Sequence, residues 1–191
     1  YIGLNGTKIK EVPKAIAKIE GLTDLYLGQT DICEFPIEMK NLKKLERLAL
    51  WETQLEELPD WICEYKYLRG LYLGRTKKLC CLPERIGELI NLEQLYLDGT
   101  QLNYLPKSFG NLINLKDLSL KGTKIRKFPP LREMKHLITC DLSNMILERI
   151  PGEFLESDME IQPEMDFPNN GLILANTKLL CQPISLFSHE K

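Results

Sequence analysis

Valine is almost absent from this sequence, with Val12 its single example among 191 residues. Sandwiches, barrels and parallel α/β cores usually combine valine and isoleucine with leucine in their strands, so this scarcity argues against those folds. Long apolar runs are missing as well, because none exceeds four residues, as in Leu172 to Ala175. A transmembrane helix or signal peptide needs a much longer run. We therefore expect no membrane insertion by these residues.

An excess of one charge sign is also missing. The chain has 25 basic and 27 acidic residues, which gives a formal charge of −2. Without a large basic field, nucleic acid is not an expected partner. At 27% charged and 43% hydrophobic residues, the chain is typical of a folded domain, and its length suits a single one with a continuous core.

The residue combinations that usually carry chemistry are not found. There are two histidines, His136 and His189, and the cysteines form no Cys-x-x-Cys pair. They lie at positions 33, 63, 80, 81, 140 and 181. No nucleophile with a base, phosphate-binding glycine loop or carboxylate pair is evident. We expect no enzyme activity, no catalytic residue, no metal site and no small-molecule cofactor.

Leucine, by contrast, is abundant, with 35 copies. The segment from Leu22 to Thr30 has the form L-x-x-L-x-L-x-x-T, which returns from Leu45, Leu68, Leu92 and Leu115, and more loosely from Leu137. Successive copies start 22 to 24 residues apart. A fixed period of this length is the signature of a solenoid, in which each unit buries its apolar face against its neighbours.

Three kinds of aligned position give each unit a structure. Alternating leucines, such as Leu25 and Leu27, predict a short strand with one buried face. Cys140 takes the place of leucine in this column and is expected to be a small buried apolar residue. A threonine follows the strand and can bond to turn backbone groups, at positions 7, 30, 53, 76, 100 and 123; Met145 interrupts this column. A proline then favours the start of a short helical segment, at positions 13, 36, 59, 83, 106, 129 and 151.

These motifs resemble the leucine-rich-repeat family over nearly the whole chain. Segments such as LPERIGEL from Leu82 and LPKSFGNL from Leu105 are similar to the plant intracellular and bacterial classes, and threonine in place of asparagine is similar to plant immune receptors. The resemblance implies an α/β right-handed solenoid, with a parallel β-sheet on the concave face and short helices or 3-10 turns on the convex face.

We divide the chain into eight units of one domain spanning residues 1–191. A partial unit covers 1–21, full units start at 22, 45, 68, 92, 115 and 137, and a degenerate terminal unit covers about 169–191 and is expected to close the core. The unit from 68 has an extra residue near Lys77 and Lys78. We expect the turn to absorb it, because the leucine column resumes at Leu79.

The concave face is the expected contact surface. Tyr26, Tyr72 and Tyr96 occupy the position between the last two strand leucines, and Trp51 lies two residues beyond the matching Ala49. Tyrosine and tryptophan are enriched in binding hot spots. A mixed polar rim is expected around them, with Arg47, Arg75, Gln94, Asp98, Asp117 and Lys121. Simple copying of Leu-Tyr-Leu during internal duplication is the alternative explanation for the aromatic column.

Three functions agree with this pattern. The first is a non-catalytic module that binds another protein through its concave face. The second is the regulatory arm of a larger signalling protein, because Gly171 to Ile184 is similar to the last repeat before the GTPase domain of Roco-type proteins, although Gln182-Pro183 replaces the usual proline pair. The third is an extracellular receptor or adhesin fragment that binds peptide or carbohydrate.

Extracellular members of the family often have cysteine-rich caps. No such cap is visible in this sequence, so we expect a cytoplasmic location.

Overall fold

The computed structural model describes residues 1–155, 161–162 and 171–180. Its strands are two or three residues long: β1 Ile2–Gly3, β2 Asp24–Tyr26, β3 Arg47–Ala49, β4 Gly70–Tyr72, β5 Gln94–Tyr96, β6 Asp117–Ser119, β7 Thr139–Asp141, β8 Ile146–Leu147, β9 Ile161–Gln162, β10 Gly171–Ile173 and β11 Lys178–Leu179. The 3-10 helices are Lys14–Lys18, Ile37–Asn41, Asp60–Glu64, Ile86–Glu88 and Lys107–Asn111, and one short α-helix, α1, covers Gly152–Leu155.

Nine of these strands form one parallel sheet in the order β1-β2-β3-β4-β5-β6-β7-β10-β9. Its register follows the leucine column, since Leu25 pairs with Leu48, Leu48 with Leu71, and Leu71 with Leu95. β8 and β11 form a second parallel pair. The predicted leucine-rich-repeat solenoid with a parallel sheet is confirmed.

A single hydrophobic core runs between the sheet and the 3-10 helices. The strand leucines are fully buried, as Leu25, Leu71 and Leu95 show. On the helical side, buried residues such as Ile62 and Phe109 close the core. Cys140 replaces leucine in the strand column and is also buried, which confirms its predicted role as a small apolar residue. No helix within the described ranges is long and apolar enough to cross a membrane.

The threonine column binds turn backbone as predicted, with two deviations. Thr30, Thr53 and Thr100 each donate a hydroxyl hydrogen bond to the carbonyl of the residue three positions earlier, at 2.7–2.8 Å. Thr76 instead donates to the carbonyl of Leu50 in the preceding unit, at 2.9 Å. The hydroxyl of Thr123 is buried and has no hydrogen-bond partner within the described part of the chain.

The extra residue of the fourth unit is taken up by a turn, as predicted. Residues 77–78 form this turn, and the amide of Leu79 then donates to the carbonyl of Thr76 at 3.0 Å. Leu79 and Leu82 are buried, so the core column continues without a shift.

The end of the sheet departs from simple stacking. β10 pairs with β7 in the place expected for the terminal unit, and Leu172 and Ile173 are buried there. β9 precedes β10 in the chain but pairs on its far side, because the long segment between β7 and β10 adds a strand that the repeat pattern does not contain. Cys181, Gln182, Pro183 and His189 lie outside the described residues.

Candidate binding surface on the sheet face

Side chains that flank the buried strand leucines form three outward columns along the sheet, because successive residues of a strand point to opposite faces. We call the surface that they form the sheet face. The first column is Asp24, Arg47, Gly70, Gln94, Asp117 and Thr139. The second is Gly3, Tyr26, Ala49, Tyr72, Tyr96, Ser119 and Asp141. The third, just after the strands, is Asn5, Gly28, Trp51, Gly74, Asp98, Lys121 and Ser143.

Tyr72 and Tyr96 stack in the middle of the sheet face. Their ring centroids are 5.5 Å apart and their planes differ by 11°. The Tyr72 hydroxyl donates a 2.6 Å hydrogen bond to Oε1 of Gln94, and the Gln94 amide donates to Asp117 at 3.3 Å. Partial burial raises the pKa of both phenols above its ordinary value. The pair is therefore a fixed aromatic platform.

The second column is less uniformly exposed than its sequence pattern suggested. Ala49 and Ser119 are 3% and 8% exposed, whereas the tyrosines of the column are half-buried. Larger neighbours cover the two small side chains, since Ala49 pairs with Tyr26 on one side and Tyr72 on the other. The contact area of the column thus comes from its tyrosines.

An open depression of about 380 Å³ lies beside the stacked tyrosines. Five of the ten residues predicted for the contact surface line it: Trp51, Tyr72, Arg75, Tyr96 and Asp98. The other three lining residues, Gln29, Glu52 and Gly74, were not among the predicted contacts. The sequence contains a signal for the first two, because most other units have glycine or asparagine at the position of Gln29 and Glu52, with Arg75 the other exception.

Glycines in the sheet face leave room for the larger side chains beside them. A Cβ atom at Gly70 would lie 2.7 Å from the Tyr72 hydroxyl oxygen. A Cβ atom at Gly74 would lie 2.5 Å from Oδ1 of Asp98. Both distances are well inside van der Waals contact, so any other residue at either position would displace a side chain of the depression.

Tyr26 and Arg47 belong to a separate polar cluster around Asp24. Arg47 donates to Oδ1 of Asp24 at 2.8 Å, and the Tyr26 hydroxyl donates to the same oxygen at 3.3 Å. A hydrogen bond from Thr23, followed by the one from Arg47, lowers the pKa of the Asp24 carboxyl below its ordinary value. This cluster lies toward the N-terminal end of the sheet face, away from the depression.

Lys121 stands on the C-terminal side of the depression and does not line it. It continues the third column after Asp98, and its carbonyl accepts a 2.8 Å hydrogen bond from the amide of Gly99. Five of the predicted contact residues therefore line the depression, and Lys121 stands alone. The others form two hydrogen-bonded pairs, Tyr26 with Arg47 through Asp24 and Gln94 with Asp117. Within the described ranges, no three His, Cys, Asp or Glu side chains are placed to share a metal ion.

Comparison with known proteins agrees with the architecture. The sequence model of the family described as Leucine Rich Repeat matches residues 91–112. A leucine-rich-repeat protein of Leptospira interrogans superposes with a TM-score of 0.81 and 31% identity, over 93% of this chain and 43% of that one. This protein is a leucine-rich-repeat protein. The fold supports a general role as an interaction module, since the family and its structural neighbours are generally non-catalytic.

Two plant proteins are similar over part of this leucine-rich-repeat protein. TMV resistance protein N of Nicotiana glutinosa is 30% identical over 95 residues, which is 48% of this chain and 8% of that protein. Disease resistance protein RPS4B of Arabidopsis thaliana is 37% identical over 84 residues, or 44% of this chain and 7% of that protein. The alignments thus span less than a tenth of either plant protein.

Proposed function

We propose that this leucine-rich-repeat protein is a non-catalytic module that binds another protein through the concave sheet face, centred on the depression. The observation that carries the proposal is the stacked Tyr72–Tyr96 pair, which borders the depression together with Trp51. Aromatic side chains held in one conformation lose little entropy on binding and supply a large contact area. The surrounding Arg75, Glu52 and Asp98 provide polar contacts that restrict which partners fit.

The stacked pair is not needed to close the core. Leucines form the buried column behind the sheet, while both tyrosines remain partly exposed. Copying of a Leu-Tyr-Leu segment would explain why tyrosine recurs, but it does not explain the different residues that converge on the depression from neighbouring units. Trp51, Tyr72 and Asp98 each come from a different unit. This convergence favours selection for a contact surface.

The test compares two double variants of matched chemistry. Tyr72→Ala with Tyr96→Ala removes the stacked pair, whereas Tyr67→Ala with Tyr104→Ala removes two tyrosines outside the sheet face that are 61% and 44% exposed. Partners captured by each variant from cells of the source organism are quantified by mass spectrometry, and circular dichroism verifies the fold. We expect the first variant to lose partners that the second keeps. Equal capture by two folded variants would contradict the proposal.

A more specific version is favoured by the plant relatives. We propose that the module serves partner recognition within a larger protein of the disease-resistance type, because the similar segments are small parts of two such proteins. The full coding sequence tests this version and its Roco-type alternative. Resistance-type domains in the same reading frame would support it, and a GTPase phosphate loop after Lys191 would favour the Roco alternative instead.

We also propose a cytoplasmic setting for the module. Cys33, Cys63, Cys80, Cys81 and Cys140 are free thiols in the structure, which suits a reducing compartment. The extracellular receptor alternative predicts disulfides. Thiol titration of protein purified under non-reducing conditions separates the two, because a cytoplasmic protein should give six titratable thiols, counting Cys181.

A further inference from the structure

One residue of each turn after the strands has a positive φ angle, and its identity changes at the depression. Gly6, Gly99 and Gly122 have φ between 64° and 70°, while Asn144 and Asn176 have φ of 57° and 56°. Glycine and asparagine enter this left-handed region readily. Three consecutive units break the pattern, with Gln29 at 54°, Glu52 at 56° and Arg75 at 57°.

These three residues carry a conformational cost that glycine would avoid. In the left-handed region the Cβ atom comes too close to the following carbonyl oxygen, which is unfavourable for every residue except glycine. Backbone strain of this kind concentrates at functional sites. All three residues line the depression, and among the described turns no other non-glycine residue apart from asparagine has this conformation. The strain is therefore confined to the candidate site.

The three strained side chains bond to one another. The Gln29 amide donates to Oε2 of Glu52 at 3.1 Å, and Arg75 donates to Oε1 of the same carboxylate at 3.2 Å. The hydrogen bond from Gln29, with a smaller contribution from Arg75, lowers the pKa of Glu52. The Arg75 side chain is 70% exposed, and ion pairs at the surface contribute little to stability. The network thus holds one edge of the depression without accounting for the strain.

Asp98 is the charged group of the depression without a partner. The Asp24 carboxylate binds Arg47, and Asp117 accepts from Gln94. Within the described ranges, no hydrogen-bond donor or cation pairs with the Asp98 carboxylate, although Arg75 comes from the neighbouring unit. Arg75 is instead directed to Glu52. The Asp98 carboxylate lies above Gly74, where no side chain competes for the space.

Aromatic side chains line the same depression as this free carboxylate. Trp51, Tyr72 and Tyr96 line the same depression, and Trp51 precedes Gly74 in the third column as Asp98 follows it. Aromatic faces attract cations, most strongly in tryptophan. A guanidinium group suits such a site best, because its plane stacks on an aromatic ring while its N–H groups bind a carboxylate through two parallel hydrogen bonds.

We propose that the depression above Gly74 binds an arginine side chain of the partner protein, with Asp98 accepting its N–H groups and the aromatic side chains contacting its plane. The inference rests on the proposed function, because it names the chemistry of the partner at the same surface. Lysine satisfies the charge of Asp98 but not the two parallel hydrogen bonds, so the site should prefer arginine.

The experiment selects peptides from a phage-displayed library of random 12-residue sequences. Selected peptides are synthesised with the original arginine, and with lysine, citrulline or alanine in its place. Fluorescence polarisation measures their binding to the protein and to its Asp98→Asn variant. Asp60→Asn is the matched control, because Asp60 is exposed in a 3-10 helix on the opposite side.

We expect the selected peptides to share an arginine. Its replacement by alanine or citrulline, and the change Asp98→Asn, should each weaken binding by roughly tenfold or more, in line with the loss of a charge-assisted contact. When the alanine peptide is tested on the Asp98→Asn variant, the loss of binding should be much smaller than the product of the two separate losses, because both changes remove the same contact. Replacement by lysine should weaken binding as well, while Asp60→Asn should leave it unchanged.

Contrary outcomes separate the inference from the proposed function. Peptides that lose binding to Tyr72→Ala with Tyr96→Ala, but lack a shared arginine or bind Asp98→Asn normally, overturn the arginine site and leave sheet-face binding intact. Equal binding of lysine and arginine peptides overturns the guanidinium preference. Selection of no peptide, or only of peptides insensitive to the tyrosine changes, overturns the arginine site together with peptide recognition by the sheet face.

Discussion

The indole ring of Trp51 lies over the backbone of Gly28 in the preceding unit. A Cβ atom at Gly28 would be 2.4 Å from both Cε2 and Nε1 of Trp51. The amide of Gly28 is held from the other side by Oδ1 of Asn5, at 2.7 Å. The absence of a side chain at Gly28 therefore decides where the tryptophan of the sheet face can lie.

Gly28→Ala should displace Trp51 without unfolding the protein. The chain has two tryptophans, so a Trp61→Phe background leaves Trp51 as the only indole fluorophore. We expect the emission maximum and the acrylamide quenching of Trp51 to change, because its ring must leave Gly28. Gly21→Ala is the control, since nothing lies within 4 Å of a Cβ atom there. Identical spectra for the two variants would show that the indole does not rest on Gly28.

At the turn positions with positive φ, introducing glycine and removing glycine should have opposite effects on stability. Glu52→Gly should raise the free energy of unfolding by up to about 1 kcal/mol, because glycine removes the left-handed strain at the expense of an exposed ion pair with Arg75 and a hydrogen bond from Gln29. Gly122→Glu should lower it by roughly 1–2 kcal/mol; φ is 67° there, and nothing lies within 4 Å of a Cβ atom. Urea unfolding followed by circular dichroism measures both. Effects of the same sign would argue against strain as the cause.

Two threonines of the same column should respond differently to replacement by valine. The Thr100 hydroxyl donates to the carbonyl of Leu97 at 2.8 Å, so Thr100→Val should cost about 0.5–1.5 kcal/mol of unfolding free energy. The Thr123 hydroxyl is buried without a partner among the described residues, so Thr123→Val should be neutral or stabilising. Thermal and urea unfolding test the pair. A similar loss in both variants would mean that the hydroxyl of Thr123 is also bonded.

Glycine on the helical side should be required for contact between units. A Cβ atom at Gly87 would lie 1.9 Å from the carbonyl oxygen of Ser108 in the next unit. Gly87→Ala should therefore separate the two units and lower the unfolding free energy by roughly 1–3 kcal/mol, the usual cost of overpacking. Gly21→Ala, whose added methyl group meets open space, should change it by less than about 0.5 kcal/mol. Equal unfolding free energies for the two variants would contradict the prediction.

Exposed cysteines should be alkylated faster than buried ones. Cys33 and Cys80 are exposed, whereas Cys63 and Cys140 are buried. The thiolate is the reactive form, and burial raises the pKa of Cys63 to about 11 and that of Cys140 above its usual range. With iodoacetamide at pH 8, peptide mass spectrometry should find Cys33 and Cys80 modified first, and Cys63 and Cys140 only after urea is added. Early modification of Cys140 would contradict its place in the core.

The scaffold could be predicted from the sequence because its cause is periodic. Leu25, Leu48 and Leu71 occupy equivalent positions, so a leucine that is buried in one unit is expected to be buried in every unit. The pairing of the strands follows from the same alignment. The insertion beside Lys77 was equally predictable, since the buried column continues beyond it. The same logic identified Cys140 as a buried residue from its position alone.

Departures from the period could not be predicted in this way. The pairing of β9 beyond β10 depends on a segment without repeat character. Thr76 bonds to Leu50 in the preceding unit, whereas Thr53 bonds within its own turn, so residue type does not decide the acceptor. In the depression, the sequence indicated Trp51 and Asp98 as contact residues, but the gap between them depends on Gly74, whose contribution is the absence of a side chain. Local space, rather than residue type, decides these features.

The regular strand pairing also restricts how an extended partner can align with the sheet face. Neighbouring strands are roughly 4.8 Å apart, whereas side chains on one side of an extended segment recur about every 6.8 Å. For a segment that crosses the strands, the two spacings nearly coincide when about four of its residues, some 13.6 Å, span three strand steps, some 14.4 Å. Tyr26 and Tyr96 lie in one column three strands apart. Such a partner would meet these tyrosines with residues four positions apart in its own sequence, and would be out of step with the tyrosine column between them.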